Sequence, residues 1–248
     1  MRKYALLSGL LLVASLVHAQ SDFFIKVGAG LSIPYGKFED AETQDLAKLV
    51  RTGPNIGLTI GHDFGRHWGL ALTGAIWQHA VRNERMTEYL KEQYLPAAYQ
   101  PYVKSLGTSS NNFRFVTGYL SPYYAFYLGE RLRVDIRLNG GIMYMQFPVI
   151  RGDGTATSPL DGKDYPLSVV TAESSAASFT YGAGGSLTYH VTGAFRVFAD
   201  VDGLRSHPKF DDISVKGSLG PVTLDTVRPG FTQTAGTLSI RFGAGFFF

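Results

Sequence analysis

Cysteine is absent from the 248-residue sequence, and this absence limits the chemistry available to the protein. Without thiolates the chain has no disulfide, no cysteine nucleophile and no cysteine-ligated metal. Charged residues are also scarce, at 17%, and the formal net charge is only +3. Because lysine and arginine form no cluster, we do not expect nucleic acid as a partner. We also expect no cofactor.

Long apolar runs are absent except at the N-terminus. Arg2 and Lys3 precede the apolar run Tyr4 to Val17, and a small-residue cleavage site ends at Ala19. This order predicts a secretory signal peptide over residues 1–19. The run is shorter than the roughly 20 apolar residues of a spanning helix, which favours cleavage over anchoring. Removal of the two basic residues lowers the formal net charge to +1.

The remaining chain alternates apolar residues with polar residues or glycine at a period of two. From Phe23 to Ile33 every odd position is apolar, and the even positions include Lys26 and Ser32. This is the period of a half-buried β-strand. The pattern recurs in segments that begin near Ile56, Trp68, Leu132, Phe179, Phe195 and Thr237. An eighth segment, Phe113 to Leu128, is apolar on both faces and contains Pro122, so its inward face is left unassigned.

Short and long connections alternate between these segments. The short ones are Gly65-Arg66-His67, Gly129-Glu130-Arg131 and Thr192-Gly193, and the long ones span about 34–53, 80–112, 148–177 and 204–232. Transmembrane barrels have short periplasmic turns and longer extracellular loops. The sequence therefore predicts an all-β protein, a closed antiparallel up-and-down transmembrane β-barrel of about eight strands. Its single domain is expected over residues 20–248, with four long extracellular loops.

The charged residues of the strands share the face opposite the apolar one. They are Lys26, Asp63, Arg133, Asp135, Arg137, Arg196, Asp200, Asp202 and Arg241. A lysine or arginine facing the middle of the bilayer costs roughly 2–4 kcal/mol. We therefore expect the apolar face to contact lipid and the charges to form a network in the lumen. A soluble, lipocalin-like barrel with a ligand cavity is the alternative, and its charged face lies in water.

Aromatic residues near the strand ends support the lipid-facing assignment, because aromatic belts mark the membrane interfaces. The belt at the short turns is predicted to contain Phe64, Trp68, Phe126, Tyr189, Phe195, Phe246 and Phe248. The opposite belt is predicted to contain Tyr144, Phe147, Phe179 and Tyr181.

The C-terminal run Ile240 to Phe248 alternates apolar residues and ends in an aromatic side chain. It resembles the terminal assembly signal of Gram-negative outer-membrane proteins, with Phe242, Phe246 and Phe248 at its apolar positions. The overall pattern of strands, turns and loops resembles the small OmpX/OmpA-like outer-membrane β-barrels. The resemblance implies a place in the cell outer membrane, with membrane lipids and the barrel-assembly machinery as partners.

The lumen of an eight-stranded barrel is just wide enough to be filled by side chains. We therefore expect a plugged lumen, with Phe198 and Met143 beside the charges, and a structural role or an interaction through the loops. The partner of the loops is not identified by the sequence. Residues 83–95 have helical composition, and residues 38–50 are acidic at first and then amphipathic. Each is a candidate for a short rim helix, but ordinary loop packing is favoured. Arg151-Gly152-Asp153 is interpreted as a turn. Asp153, Asp161 and Asp164 are interpreted as solvated acids rather than calcium ligands.

A rim enzyme that modifies lipid is the remaining alternative. His79 and His207 are the histidines near the long-loop rim, Ser206 precedes His207, and Asp211 or Asp212 is placed to orient it. No nucleophile motif accompanies these residues, so we expect no catalytic site and no metal site.

Overall fold

The computed structural model describes residues 23–35, 49–94, 100–158 and 161–248. The predicted signal peptide and most of the segment 38–50 lie outside these residues. Within them, no helix is long and apolar enough to cross a membrane.

Eight long strands close into one antiparallel barrel. They are β1 (Phe23–Tyr35), β2 (Gly53–Phe64), β3 (Trp68–His79), β5 (Phe113–Leu128), β6 (Leu132–Phe147), β9 (Ser174–His190), β10 (Phe195–Ser206) and β15 (Ala235–Phe247). Each of these strands pairs with the strand before it and the strand after it in this order, and β1 pairs with β15 to close the barrel. The predicted fold class is confirmed.

Alternation along each strand decides which face is inside. On β1, Val27 and Leu31 are more than half exposed on the outer wall, whereas Lys26 and Ser32 are buried in the lumen. A shift of one residue in register would reverse every side chain. Because the apolar and polar sets are so different, only one register is compatible with lipid outside and charge inside.

Strand β5, whose inward face the sequence left open, points Phe115, Tyr119 and Tyr123 into the lumen. Pro122 faces outward, opposite Leu70 of β3. The ladder with β6 keeps one register on both sides of this proline. Pro122 therefore removes a hydrogen-bond donor without bending the strand out of the wall.

The long connections contain a second sheet, where the sequence predicted loops. Its five strands pair in the order β13, β12, β8, β7 and β4, and we call it the outer sheet. The strands are β4 (Val103–Ser110), β7 (Ile150–Thr157), β8 (Asp164–Thr171), β12 (Ile213–Leu219) and β13 (Val222–Arg228). Strand β4 leads into β5 and β6 leads into β7, so a barrel hairpin continues past the rim. The end of the barrel that carries this sheet is called the outer-sheet end, and the opposite one the short-turn end.

Smaller elements complete the outer-sheet end. Helix α1 (Asn83–Tyr94) forms where the composition is helical, although ordinary loop packing was favoured there, and its Met86 is buried. The Thr87 and Thr108 hydroxyls lie 3.0 Å apart and join α1 to β4. Two short strands, β11 (Lys209–Phe210) and β14 (Phe231–Thr232), pair with each other. Arg151-Gly152-Asp153 lies within β7, so its interpretation as a turn was wrong: these residues pair with β4 and β8.

Glycine makes room for the largest side chains of the lumen. A Cβ atom at Gly61 would lie 2.2 Å from Phe24 Cζ, and one at Gly69 would lie 2.0 Å from the Tyr123 hydroxyl. Each glycine is on a strand next to the bulky residue. The lumen is therefore filled by pairing large residues with empty positions, which a narrow barrel requires.

Candidate functional site in the lumen

The structure places the nine predicted lumen residues on the inner wall. Seven are buried, with exposed fractions of 7% or less, and Asp63 and Arg196 are half-buried. Most of them form two ion-pair clusters, which we call the central cluster and the inner cluster. The inner cluster lies nearer the short-turn end.

Asp202 is the hub of the central cluster. Its carboxylate accepts hydrogen bonds from Arg137 at 2.7 and 2.9 Å and from Arg241 at 2.6 Å. The Asn139 amide donates to it at 3.0 Å and the Tyr119 hydroxyl at 3.2 Å. Five donor contacts from three other strands thus converge on one side chain, and charge-assisted bonds of this kind are the strongest hydrogen bonds in proteins.

Asp200 extends the central cluster to β1. The Lys26 ammonium donates to Asp200 at 3.0 Å and to the Ser186 hydroxyl at 2.9 Å. The same ammonium lies 4.2 Å from the centre of the Phe198 ring. A guanidinium nitrogen of Arg137 is 3.4 Å from Asp200. The buried ammonium group therefore loses its hydration and is stabilised by an anion, a hydroxyl group and an aromatic face.

Arg133 organises the inner cluster. It donates two bonds of 2.8 Å to Asp63 and one of 2.7 Å to Asp135. The Tyr123 hydroxyl donates to Asp63 at 2.6 Å. The two bonds to Asp63 match the planar guanidinium to a carboxylate, a geometry that lysine does not provide.

Arg196 behaves differently from the other predicted network residues. Its guanidinium carbon lies 3.8 Å from the centre of the Phe247 ring. Phe247 stacks on Phe24 at 4.8 Å between ring centres. These three residues cover the short-turn end of the lumen, so Arg196 belongs to an aromatic closure rather than to an ion pair.

An apolar layer fills the lumen toward the outer-sheet end. It includes the buried residues Trp77, Phe113, Phe115, Met143, Met145 and Phe147. Phe147 was predicted in the aromatic belt, and that prediction was wrong. The residue is 3% exposed, and its ring centre lies 5.1 Å from that of Phe113 and 6.0 Å from that of Phe210. The prediction considered only the height of Phe147 near the end of the barrel. It did not use the alternation along β6, which places Phe147 on the inward face with Met143 and Met145.

Several buried polar atoms of this part of the lumen have no hydrogen-bond partner among the described residues. They belong to Ser32, Asn55, Trp77, His79, Gln233, Thr237 and Ser239. Most lie on β1, β2, β3 and β15, which are adjacent in the wall. Buried polar groups are normally hydrogen-bonded, so ordered water is expected to bind along this side of the lumen.

The sequence did not identify the neutral partners of the charges. Tyr119 and Tyr123 lie on β5, whose inward face could not be chosen because both faces are apolar. Asn139 shares the inward face of β6 with charged residues, and Ser186 lies on the inward face of β9 among glycines and threonines. Their face was a usable signal, but nothing in the sequence distinguished them from other small polar lumen residues.

The outer wall of the barrel is lined with exposed apolar side chains. Exposed aromatic residues toward the short-turn end include Phe64, Trp68, Phe126, Tyr189, Phe246 and Phe248. Those toward the outer-sheet end include Tyr144, Phe179 and Tyr181. An apolar exterior with aromatic residues near both ends matches a bilayer and is unfavourable in water. The soluble alternative is inconsistent with this exterior.

The residues considered for a rim enzyme make local structural contacts. His79 Nδ1 lies 3.0 Å from the carbonyl oxygen of Arg51. The Ser206 hydroxyl donates to the Phe179 carbonyl at 3.0 Å. Asp212 accepts a bond of 2.7 Å from the Gly230 amide. These bonds fix the backbone of the rim.

The three aspartates considered for calcium have separate partners. Asp153 accepts from Ser168 at 3.0 Å, and Asp164 pairs with Lys104 at 2.7 Å. The Tyr165 hydroxyl donates to Asp161 at 2.7 Å and lowers the pKa of that exposed carboxyl group. Among the described residues, no group of three or more histidine and acidic side chains is arranged to hold a metal ion.

The closed wall, the apolar exterior and the ion-paired interior define the class: the chain is a small membrane-spanning β-barrel of the outer-membrane type. No family model and no curated protein matches its sequence.

Solved structures of similar fold include outer-membrane proteins. Neisserial surface protein A is 13% identical with a TM-score of 0.46, and the match covers 92% of this chain and 98% of that one. A major outer-membrane protein of Thermus thermophilus is 15% identical with a TM-score of 0.44, covering 92% and 100%. The attachment invasion locus protein Ail of Yersinia pestis is 12% identical with a TM-score of 0.42, covering 92% and 99%. At these identities the likeness concerns the fold.

We predict that Asp202→Asn destabilises the barrel by about 3–5 kcal/mol, because the buried Arg137 and Arg241 lose their shortest ion pairs. They keep only the more distant carboxylate of Asp200, at 3.4 and 3.9 Å. Unfolding in urea, followed by the loss of heat-modifiable migration on gels, measures the change. Asp164→Asn breaks an exposed ion pair in the outer sheet and is the matched control, for which no measurable change is expected. Equal stability of the Asp202 variant and the wild type would contradict the role of Asp202 as hub.

Proposed function

We propose that the protein is an outer-membrane barrel that conducts no solute through its lumen and displays the outer sheet at the cell surface. The observation that carries this proposal is the succession of layers across the lumen. Aromatic rings cover the short-turn end, two ion-pair clusters follow, and an apolar layer lies toward the outer sheet. Function then belongs to the part outside the membrane, because binding residues commonly lie on connections held by a rigid scaffold.

The ion pairs close the lumen more firmly than apolar packing alone. Displacing a side chain of the central cluster would separate a guanidinium from a carboxylate in a region of low dielectric, which is strongly unfavourable. Arg137, Arg241 and Asp202 meet from three different strands, so together they bridge the lumen. A solute pathway would require several of these bonds to break at once.

We predict that the purified protein gives no large, stable unitary currents in planar lipid bilayers. A general porin reconstituted in the same membranes shows that conductance is detectable. A variant that combines Arg137→Ala, Asp202→Ala and Arg241→Ala removes the bridge and is expected to raise the conductance. Large unitary currents from the wild type would refute the closed lumen.

The outer sheet provides a surface that is continuous with the barrel. Its edge strand β13 is paired on one side with β12, and Val222 and Val227 on it are more than half exposed. The order of strands places β4, with helix α1 beside it, at the other edge. The sheet is therefore suited to contact other molecules through an exposed strand.

We predict that attachment of cells to immobilised proteins or polysaccharides depends on an intact outer sheet. A Cβ atom at Gly154 would lie 2.0 Å from the carbonyl oxygen of Ser105, so Gly154→Ala forces β4 and β7 apart. Gly107→Ala is the matched control, because its nearest atom lies 3.8 Å away. At equal amounts of heat-modifiable barrel, attachment should fall for Gly154→Ala alone. Equal attachment of both variants and the wild type would exclude display by this sheet.

We also propose that residues 1–19 direct export and that Phe242, Phe246 and Phe248 form an assembly signal. Phe242 and Phe246 of the closing strand, and Phe248 directly after it, present their rings on the outer wall, each at least half exposed. The Phe248 amide donates to the Phe23 carbonyl at 2.8 Å, which fixes the last residue against the first strand. An exposed C-terminal aromatic row is accessible to an assembly factor before the barrel closes.

We predict that Phe248→Ala reduces the amount of barrel assembled in cells, whereas refolding of the purified chain into detergent is unchanged. Phe126→Ala removes a similarly exposed ring inside the chain and is the control for lost lipid contact. The mass of the assembled protein is expected to equal that of residues 20–248, with Gln20 as the first residue. Equal assembly of both variants would show that Phe248 contributes only lipid contact.

A further inference from the structure

A row of polar side chains ends the apolar belt of the outer wall below the outer sheet. Gln78, Arg114 and Gln146 occupy directly paired positions on β3, β5 and β6, and all three point away from the lumen. The row beneath them, nearer the short-turn end, is Ile76, Val116 and Tyr144. The change from apolar to polar across one row marks the height at which lipid tails meet headgroups.

A cavity lies at this height, where the barrel wall passes into the outer sheet. The two crossings are Asn111-Asn112, between β4 and β5, and Pro148-Val149, between β6 and β7. The cavity has a volume of about 260 Å³, and side-chain amides line it together with Arg114, Glu173 and Pro148. We call it the crease. Its size is close to the lower end of small-molecule sites.

The charges of the crease are not equivalent. The Gln146 amide donates to the Glu173 carboxylate, so this anion is engaged by the protein. Arg114 is exposed, and within the described ranges it forms no ion pair or hydrogen bond. An unpaired guanidinium at the headgroup level attracts phosphate, which it binds in a planar, two-pronged geometry.

We propose that the crease binds the phosphorylated sugar headgroup of an outer-leaflet glycolipid, an inference that rests on the proposed outer-membrane location. Arg114 takes the phosphate. The amides of Gln78, Asn111 and Asn112 both donate and accept hydrogen bonds, which suits the hydroxyl groups of a sugar. A zwitterionic phospholipid is less well matched, because it lacks the sugar hydroxyl groups that the amides of the crease would bind.

Binding of lipid A to the barrel in phosphatidylcholine nanodiscs tests the proposal. Arg114→Gln should weaken binding at least about tenfold, the loss expected for one charge-assisted bond. Arg205→Gln is the matched control, since Arg205 also faces outward at the outer-sheet end but does not line the crease. Each variant is used only after its heat-modifiable migration shows a folded barrel.

Four results would overturn the proposal. Equal loss in the Arg114 and Arg205 variants indicates general attraction to a basic rim. If dephosphorylated lipid A binds equally well, the phosphate does not contribute to binding. If inorganic phosphate competes fully with lipid A, the crease is a site for a free anion. If phosphatidylethanolamine binds more tightly than lipid A, and Glu173→Gln abolishes that binding, the crease is a phospholipid site. The closed lumen and the attachment role are measured by conductance and cell attachment, so their failure is distinct from failure here.

Discussion

The structure depends on the ion pairs around Asp202, because eight strands must close around charged residues that need to be stabilised inside the barrel. A barrel of this size has an interior of side-chain width, so a charge on its inner wall has little water to solvate it. Asp202 meets Arg137 and Arg241 at 2.6–2.9 Å, and Lys26 meets Asp200 at 3.0 Å. Each contact joins strands that are far apart in sequence. The network therefore depends on closure of the wall, and it favours one arrangement of the closed wall over others.

The other layers follow from the space that this network leaves. Toward the short-turn end, Phe24 and Phe247 stack beneath Arg196, and glycine at position 61 leaves room for the Phe24 ring. Toward the outer-sheet end, aromatic and methionine side chains take over, and residues from β11 and β14 cover them. Charge in the middle and apolar closure at both ends keep the ion pairs away from bulk water. The same pairs would be weaker if either end were open.

Much of the barrel could be predicted from the sequence because strand geometry is local. A period of two assigns a face to each residue, and the charges on β6, β10 and β15 all share the correct one. The choice of partner is not local: Lys26 meets Asp200 only in the closed register. Strand β5 could not be oriented because its two faces are equally apolar, which concealed Tyr119 and Tyr123. The outer sheet was missed since β4 and β7 are rich in serine, threonine and glycine, and they pair only because the hairpin beneath them continues upward.

The continuity of β4 with β5 and of β6 with β7 has a mechanical consequence. A molecule attached to the outer sheet would pull along the strands of the wall, and the load would pass directly into the hydrogen bonds between β5 and its neighbours. These bonds run across the direction of pull, so many of them share the force at once, whereas a flexible tether would concentrate it on a few. The outer sheet and the barrel thus form one continuous element that transmits force into the bilayer.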